Sequence, residues 1–353
     1  MTGGSSAARL SRPPTGSGAI IMAGGIFGAA ALQAIPHGPL LTKPLAVVLA
    51  LGWLAIAGLI LCDAAREGLA AHTGPLVGSF SIGTWVAASA VIARMAMLAA
   101  PHALWLAKAM FVVGSVVWLW FVPRALRNLW RLAGAPTGTT RPTGVILLTT
   151  VATQAVALPA FRLFPAVAPV SAAATVLLLF GLACYVVGAV LIVRLYVAGP
   201  RWHLATDWDN TNCILHGALS ITGLTAVVGD VFGATVLAPF WAVVLAVFVI
   251  VETIELARLA ARWRLMGWRD AVLVYDISQW TRNFTFGMFY AFTAALAGRF
   301  ALAEPYPALA AFVGSVLACG QYIVLMLLIT ELVLMICRGA RFRPVRGEHP
   351  RVS

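Results

Sequence analysis

The stretch from Trp280 to Phe300, WTRNFTFGMFYAFTAALAGRF, holds the residue types best suited to handling a ligand. Arg282, Asn283, Thr285 and Thr293 interrupt an otherwise apolar run, Gly287 sits near its middle, and aromatic residues stand at 280, 284, 286, 289, 290 and 292. At about 1.5 Å of rise per residue, roughly 20 helical residues cross a hydrocarbon core of about 30 Å. A charge inside such a span is expensive to hold in lipid and faces protein or a water-filled space, so this helix belongs inside a bundle, around a path. A second stretch, His203 to His216 (HLATDWDNTNCILH), gathers His, Asp and Cys. Asp207, Asp209 and Thr211 are residue types that cap a helix start, and Cys213-x-x-His216 lacks the second ligand pair of a zinc site, so no metal is predicted. His216, about one and a half turns into the helix that follows, is a residue for pore lining or proton binding. The chain has no HExxH pattern, no paired acids on one face and no cofactor fingerprint; a non-enzyme without cofactor is expected.

The elements that must position these residues are membrane spans. The 353 residues are 61% hydrophobic and only 10% charged, against about 25% charged in soluble domains, which marks a polytopic membrane protein. Ten apolar spans are predicted, at about 16–36, 43–62, 79–100, 103–122, 142–161, 170–196, 211–230, 235–257, 280–300 and 307–336. They form one transmembrane domain over 16–337, between a Ser/Gly/Pro-rich tail (1–15) and a basic tail (338–353). No cleavage site follows the first apolar run, so it is read as a retained span. The five cysteines, 62, 184, 213, 319 and 337, are scattered through apolar runs and behave as small hydrophobes.

The net charge of +12 reflects topology, not a nucleic-acid partner. Counting alternate sides of the ten spans, 18 Lys and Arg fall on the side of both termini and 3 (Lys43, Arg162 and Arg299) on the other, while Arg94, Lys108 and Arg282 lie within spans. By the positive-inside rule both termini are cytoplasmic, in the inner (plasma) membrane.

Composition also alternates along the chain. Odd spans are small and polar, as in TGVILLTTVATQAVALP and TNCILHGALSITGLTAVVG, whereas even spans such as LGWLAIAGLIL and FVVGSVVWLWFV are bulky. Helices in lipid associate through close packing and polar contacts, so the small, polar helices belong inside. The expected architecture is an all-α bundle of five hairpins, its odd helices ringing a central pore and its even helices outside.

Several motifs then resemble the tellurite-resistance/C4-dicarboxylate transporter family, which includes the slow anion channels of plant guard cells. These are Pro14-x-Gly16 with Ile20 and glycines 24, 25 and 28, Gly74-Pro75-x-x-Gly78-Ser79-Phe80, Val151-Ala152-Thr153-Gln154, and Trp280 with Phe284-x-x-Gly287-Met288. The resemblance covers nearly the whole chain. It implies five inner helices around a pore, a phenylalanine on the ninth helix blocking that pore, and a homotrimer. The chain departs from the family's pattern where members carry Phe-Pro in the ninth span and this chain has Phe284-Thr285, which leaves Gly287 to supply flexibility. His72 also stands three residues before Pro75, not directly before it.

Phe284 and Phe286 are about 200° apart around a helix and cannot both face a centre. The face of Phe284 runs on through Met288, Ala291 and Ala295, that of Phe286 through Tyr290, Thr293 and Ala297; the resemblance favours Phe284 as the gate. Expected pore-lining residues are Gly24, Gly28, Ser81, Thr153, Gln154, His216, Ser220, Gly287 and Met288, with the Gly24/Gly28 pair equally suited to close helix packing. Arg282 and Glu331, at similar depths in spans 9 and 10, are expected to pair. The function these readings suggest is passage of small anions such as C4-dicarboxylate, sulfite, a tellurite-type oxyanion, halide or nitrate through a pore gated by phenylalanine. The alternative is a proton-coupled carrier, with a membrane enzyme least favoured. The charge bias predicts that a C-terminal alkaline phosphatase fusion is inactive; an active, periplasmic fusion would reverse the topology.

Overall fold

The computed structural model describes residues 13–136, 138–200 and 202–339. The outer parts of both predicted tails, 1–12 and 340–353, and Arg201 lie outside the described residues. The described elements are helical, with no strand among them: α1 (Thr15–Ala34), α2 (Gly38–Glu67), α3 (Gly78–Ala99), α4 (Leu104–Gly134), α5 (Gly144–Leu163), α6 (Ala168–Ala198), α7 (Asn210–Val228), α8 (Ala234–Met266), α9 (Gln279–Arg299) and α10 (Pro307–Gly339). Short helices at Ala70–Thr73, Leu204–Asp207 and Trp268–Val272 lie between them. Among the described residues nine helices, all but α9, are long and apolar enough to cross a bilayer, and the chain is a multi-pass membrane protein. The helix α9 has 21 residues but spends too many of them on Gln279, Arg282, Asn283, Arg299 and three threonines to reach that apolarity.

The even helices outrun their predicted ends. The apolar reading stops α4 at 122, yet the helix continues to Gly134 because Val122, Ala125, Leu129 and Leu132 keep a buried stripe at helical spacing while Arg127 and Arg131 face outward. The basic end of α8 extends likewise to Met266.

Small residues decide which helices are covered. In the apolar windows of α1, α3, α5 and α7, 56–89% of residues are buried, against 6–33% in α2, α4, α6, α8 and α10. Without a hydrophobic drive between helices in lipid, close approach and polar contact must hold them, and Gly, Ala, Ser and Thr permit both. Packing runs from α1 to α3, α3 to α5, α5 to α7, α7 to α9, and from α9 back to α1, and each even helix packs on odd neighbours.

The odd helices are joined where they begin. Short 3₁₀ turns open α1, α3, α5 and α7, and these turns touch in succession, placing the four starts at one end of the molecule, hereafter the entry end. A helix start leaves N–H groups with no partner in the helix, and here a neighbour supplies acceptors. Asn212 Oδ1 accepts from the Gly144 N–H at 2.9 Å and Thr211 Oγ1 from the Val145 N–H at 3.1 Å, so the start of α7 caps the start of α5. Asp209 in turn accepts from the Thr211 N–H at 2.8 Å, as its residue type predicts. The stitching requires glycine at 144, where a Cβ would lie 1.8 Å from the Thr211 carbonyl oxygen. At the opposite, far end, Arg299 Nη2 lies 2.7 Å from Asp230 Oδ2 and ties α9 to the loop after α7.

Gly144→Ala is expected to lower stability by about 1–3 kcal/mol, because backbone blocks the new methyl group. Gly58→Ala on α2, with nothing within 4 Å of the added atom, gains about 0.5–1 kcal/mol instead. Thermal unfolding of the two purified variants in one detergent checks the contrast.

Candidate functional site

The two faces of α9 meet different surroundings. Phe284, Met288, Ala291 and Ala295 line a cavity of about 450 Å³, and Phe284, only 1% exposed, is its lining residue nearest the start of α9. The remaining wall comes from α1 (Ile26, Ala29, Ala30, Gln33), α3, α5 and α7, with no residue from an even helix. The wall of α1 includes a π-helical stretch, Phe27–Ala31, whose widened turn presents Ala29 and Ala30 together. The Gln33 side chain donates to the Gly28 carbonyl at 2.7 Å and to Thr42 Oγ1 at 3.0 Å, supporting that stretch from the far end. The wall is apolar except for Gln33 and two cations, Arg94 of α3 and Arg162 of α5.

The other face of α9 is bound to α8. Phe286 meets Phe248 edge-on at 4.8 Å between ring centroids and His216 at 6.1 Å. Phe289 stacks on Phe248 at 4.9 Å and on Trp241 at 5.7 Å, and Trp241 Nε1 donates to Thr293 Oγ1 at 2.9 Å. Tyr290 and Ala297, placed by helical spacing on the Phe286 side, are respectively buried and half-buried.

Arg282 is held on the same side as Phe286, and its partner is not the one expected. Its Nη2 lies 2.7 Å from Glu255 Oε1 and its Nε 3.9 Å from Glu252 Oε2, both on α8. The guanidinium N–H bonds do not point along these lines, so the contacts are ion pairs without aligned hydrogen bonds. Glu255 also accepts from Trp208 Nε1 at 2.9 Å and from Arg258 at 3.2 Å, and Arg258 donates to Asn210 Oδ1. His216 Nε2 lies 3.3 Å from Glu252 Oε1. Glu331 makes no ion pair with Arg282: it is buried and its Oε2 has no hydrogen-bond partner. Span depth could not distinguish α8 from α10 as the source of the carboxylate, because depth carries no information about the direction in which a side chain leaves its helix.

A second cavity, of about 430 Å³, opens among the helix starts at the entry end. Its wall is polar, with Ser81, Thr143, Asp209, Asn210, Arg258 and Arg262 among its lining residues. Asp207 belongs to this wall as well; burial would raise its carboxyl, but the His203 backbone N–H and Arg141, 2.6 Å away, hold it below the usual carboxylate range.

Of the expected pore-lining residues, Met288 lines the first cavity and Ser81 the second. The others line neither cavity: Gly24, Gly28, Gly287, Thr153 and Gln154 serve packing between helices, and His216 faces Glu252 of α8. An added Cβ at Gly24 would strike Leu49, at Gly28 Met95 and Leu45, and at Gly287 Ile26. Thr153 accepts from Trp118 Nε1 at 3.1 Å, and Gln154 donates to the Leu178 carbonyl at 3.0 Å, so both turn toward even helices. Ser220 donates to the His216 carbonyl at 2.8 Å within α7. The sequence reading missed Arg94 and Arg162 as cavity-wall residues, having placed Arg94 within a span without a role and Arg162 on the side opposite the termini. It also missed Glu252, Glu255 and Arg258, whose three-residue spacing on α8 places them on one helical face. Among the described residues no cluster of His, Cys, Asp and Glu is disposed to hold a metal. No protein-family model matches the chain, and no curated protein is significantly similar to it.

Arg282→Gln is expected to destabilise the protein by about 3 kcal/mol or more, since it leaves two carboxylates without their shared cation. Glu331→Gln, which removes a buried oxygen that lacks a partner, should cost well under 1 kcal/mol. Thermal unfolding in detergent that ranks Glu331→Gln as the more damaging change would restore the originally expected pair.

Proposed function

We propose that the protein passes small anions across the membrane, between a cytoplasmic vestibule at the entry end and an outer vestibule at the far end, with Phe284 closing the path between them. In this reading α1, α3, α5, α7 and α9 ring the path, the even helices shield it from lipid, and ten spans leave both termini in the cytoplasm. One observation carries the proposal: the 450 Å³ cavity is walled by all five odd helices and by no other, and Phe284 bounds it on the side of the helix starts. The sign of the permeant follows from the wall, whose charged residues are Arg94 and Arg162 alone. A path of this kind selects by field and width and needs no tight cage. The resemblance to the C4-dicarboxylate and slow anion channel family, drawn from the motifs, agrees with this reading.

A second reading, a proton-coupled carrier, draws on the contact between His216 and Glu252 at 3.3 Å, where a buried imidazole and a carboxylate share one place in the bundle. A pH gradient separates the two readings: a channel conducts without it, whereas a coupled carrier accumulates anion in response to it.

In liposomes, Phe284→Ala is expected to raise anion flux, because it removes the ring proposed to close the path and leaves the cations of the wall in place. Phe286→Ala, which loses its contacts with Phe248 and His216, should instead cost roughly 2–4 kcal/mol of stability without raising flux. Unchanged flux in a folded Phe284→Ala protein would remove the gate.

A further inference from the structure

Arg94 and Arg162 stand in an unusual electrostatic position. Both lie on the wall of the same cavity, both are half-exposed to it, and they are close enough to repel each other. Among the described residues neither guanidinium has a hydrogen bond or an ion pair, whereas Arg282 is held by two carboxylates and the buried Arg258 by Glu255. Among the described residues no acidic side chain lines the cavity, and Gln33 is its one uncharged polar side chain. Two like charges facing one apolar space are held there at a cost, and that cost falls most when an anion with two charges enters between them. A monovalent ion neutralises only one. The guanidinium fork is also suited to pairs of carboxylate or oxyanion oxygens, and a cavity of about 450 Å³ falls within the usual range for small-molecule sites.

We propose that Arg94 and Arg162 together form a binding site for a small dianion on the far side of Phe284, and that this site favours divalent over monovalent anions. Its role in selecting a permeant rests on the transport reading, whereas the binding itself does not. The site would hold the ion before the Phe284 ring, among the apolar residues Leu158, Met97 and Leu98, whose low polarity strengthens the attraction of the pair.

The test is equilibrium binding to the purified full-length protein in detergent at constant ionic strength, by calorimetry, with sulfate and malonate as dianions and chloride and nitrate as monoanions. Sulfate carries its charges on one centre and malonate at two ends, so their relative affinities report how the guanidiniums share the ligand. Saturable dianion binding at least about tenfold tighter than monoanion binding is expected, with a loss of about tenfold or more in Arg94→Gln and in Arg162→Gln. Each of these substitutions removes an unpaired charge from an apolar wall, so folding should survive. Arg94→Lys and Arg162→Lys, which keep the charge but lose the fork, should fall between wild type and Gln. Arg299→Gln, whose parent side chain pairs with Asp230 outside the cavity, should bind as wild type does. Equal affinity for monoanions and dianions, or binding unchanged in both Gln variants, would overturn the site. Anion flux in liposomes is measured alongside: dianion binding without flux, in wild type or Phe284→Ala, upholds the site and defeats the transport reading, while flux without saturable dianion binding defeats the site alone.

Discussion

The structure depends on one requirement of a hydrocarbon solvent: a polar group placed inside it must find its partner within the protein. The helix α9 tests this requirement most severely. It carries Arg282 near its start, and the charge is tolerated because α8 places Glu252 and Glu255 beside it. Those carboxylates are in turn engaged by His216, Trp208 and Arg258, so the charge on one helix is distributed over α7, α8 and the segment before α7. This fixes the rotation of α9 about its axis. With Arg282 and Phe286 directed toward α8, Phe284 has to face about 200° away from Phe286, and that direction is the cavity.

The same requirement explains the joined helix starts. Four odd helices open in 3₁₀ turns at one end, and their free N–H groups would be costly if buried without acceptors. Side chains of Thr211 and Asn212 meet those of α5, and the approach is close enough that Gly144 admits no side chain. Small residues at the interfaces of the odd helices and bulky ones on the exposed even helices are two aspects of one partition: packing satisfies the first group and lipid the second.

Much of this could be read from residue order. Apolar runs separated by basic loops give the odd spans within a few residues but stop short of the basic ends of α4 and α8, and the small-versus-bulky alternation anticipates which helices are covered. The choice between the faces of Phe284 and Phe286 drew on the angle per residue and on a motif resemblance. What could not be read was rotation. Gly24, Gly28, Thr153 and Gln154 are small or polar residues on covered helices, as expected of a path, yet each is turned toward a neighbouring helix, where small size and a hydrogen-bonding group serve packing equally well. Arg282 and Glu331 share a depth, but the carboxylates that reach Arg282 come from α8. Arg94 and Arg162 erred in the opposite direction: a long basic side chain near a span end ordinarily reaches for the surface, and only the placement of α3 beside α5 shows that both line one cavity.

The two cavities differ in a way that bears on the proposed passage. The entry-end space mixes Asp209 and Asp276 with Arg258 and Arg262 and has hydroxyl and amide groups around it, so an ion there can remain largely hydrated. The far-end space offers donors from Arg94, Arg162 and Gln33 but, among the described residues, no side-chain acceptor except the Gln33 carbonyl, so a cation entering it would find little to replace its water. In the proposed passage this loss would weigh against a cation, which would also meet Arg94 and Arg162. It is offset for an anion, because the same low-polarity wall that removes water strengthens the attraction of both guanidiniums. In the proposed passage, selectivity by sign would arise from the wall and closure from Phe284, whose ring contributes bulk without charge. The proposed gate and selector are then separate groups on separate helices, and the charge network that orients α9 bears on Phe284 and not on Arg94 or Arg162.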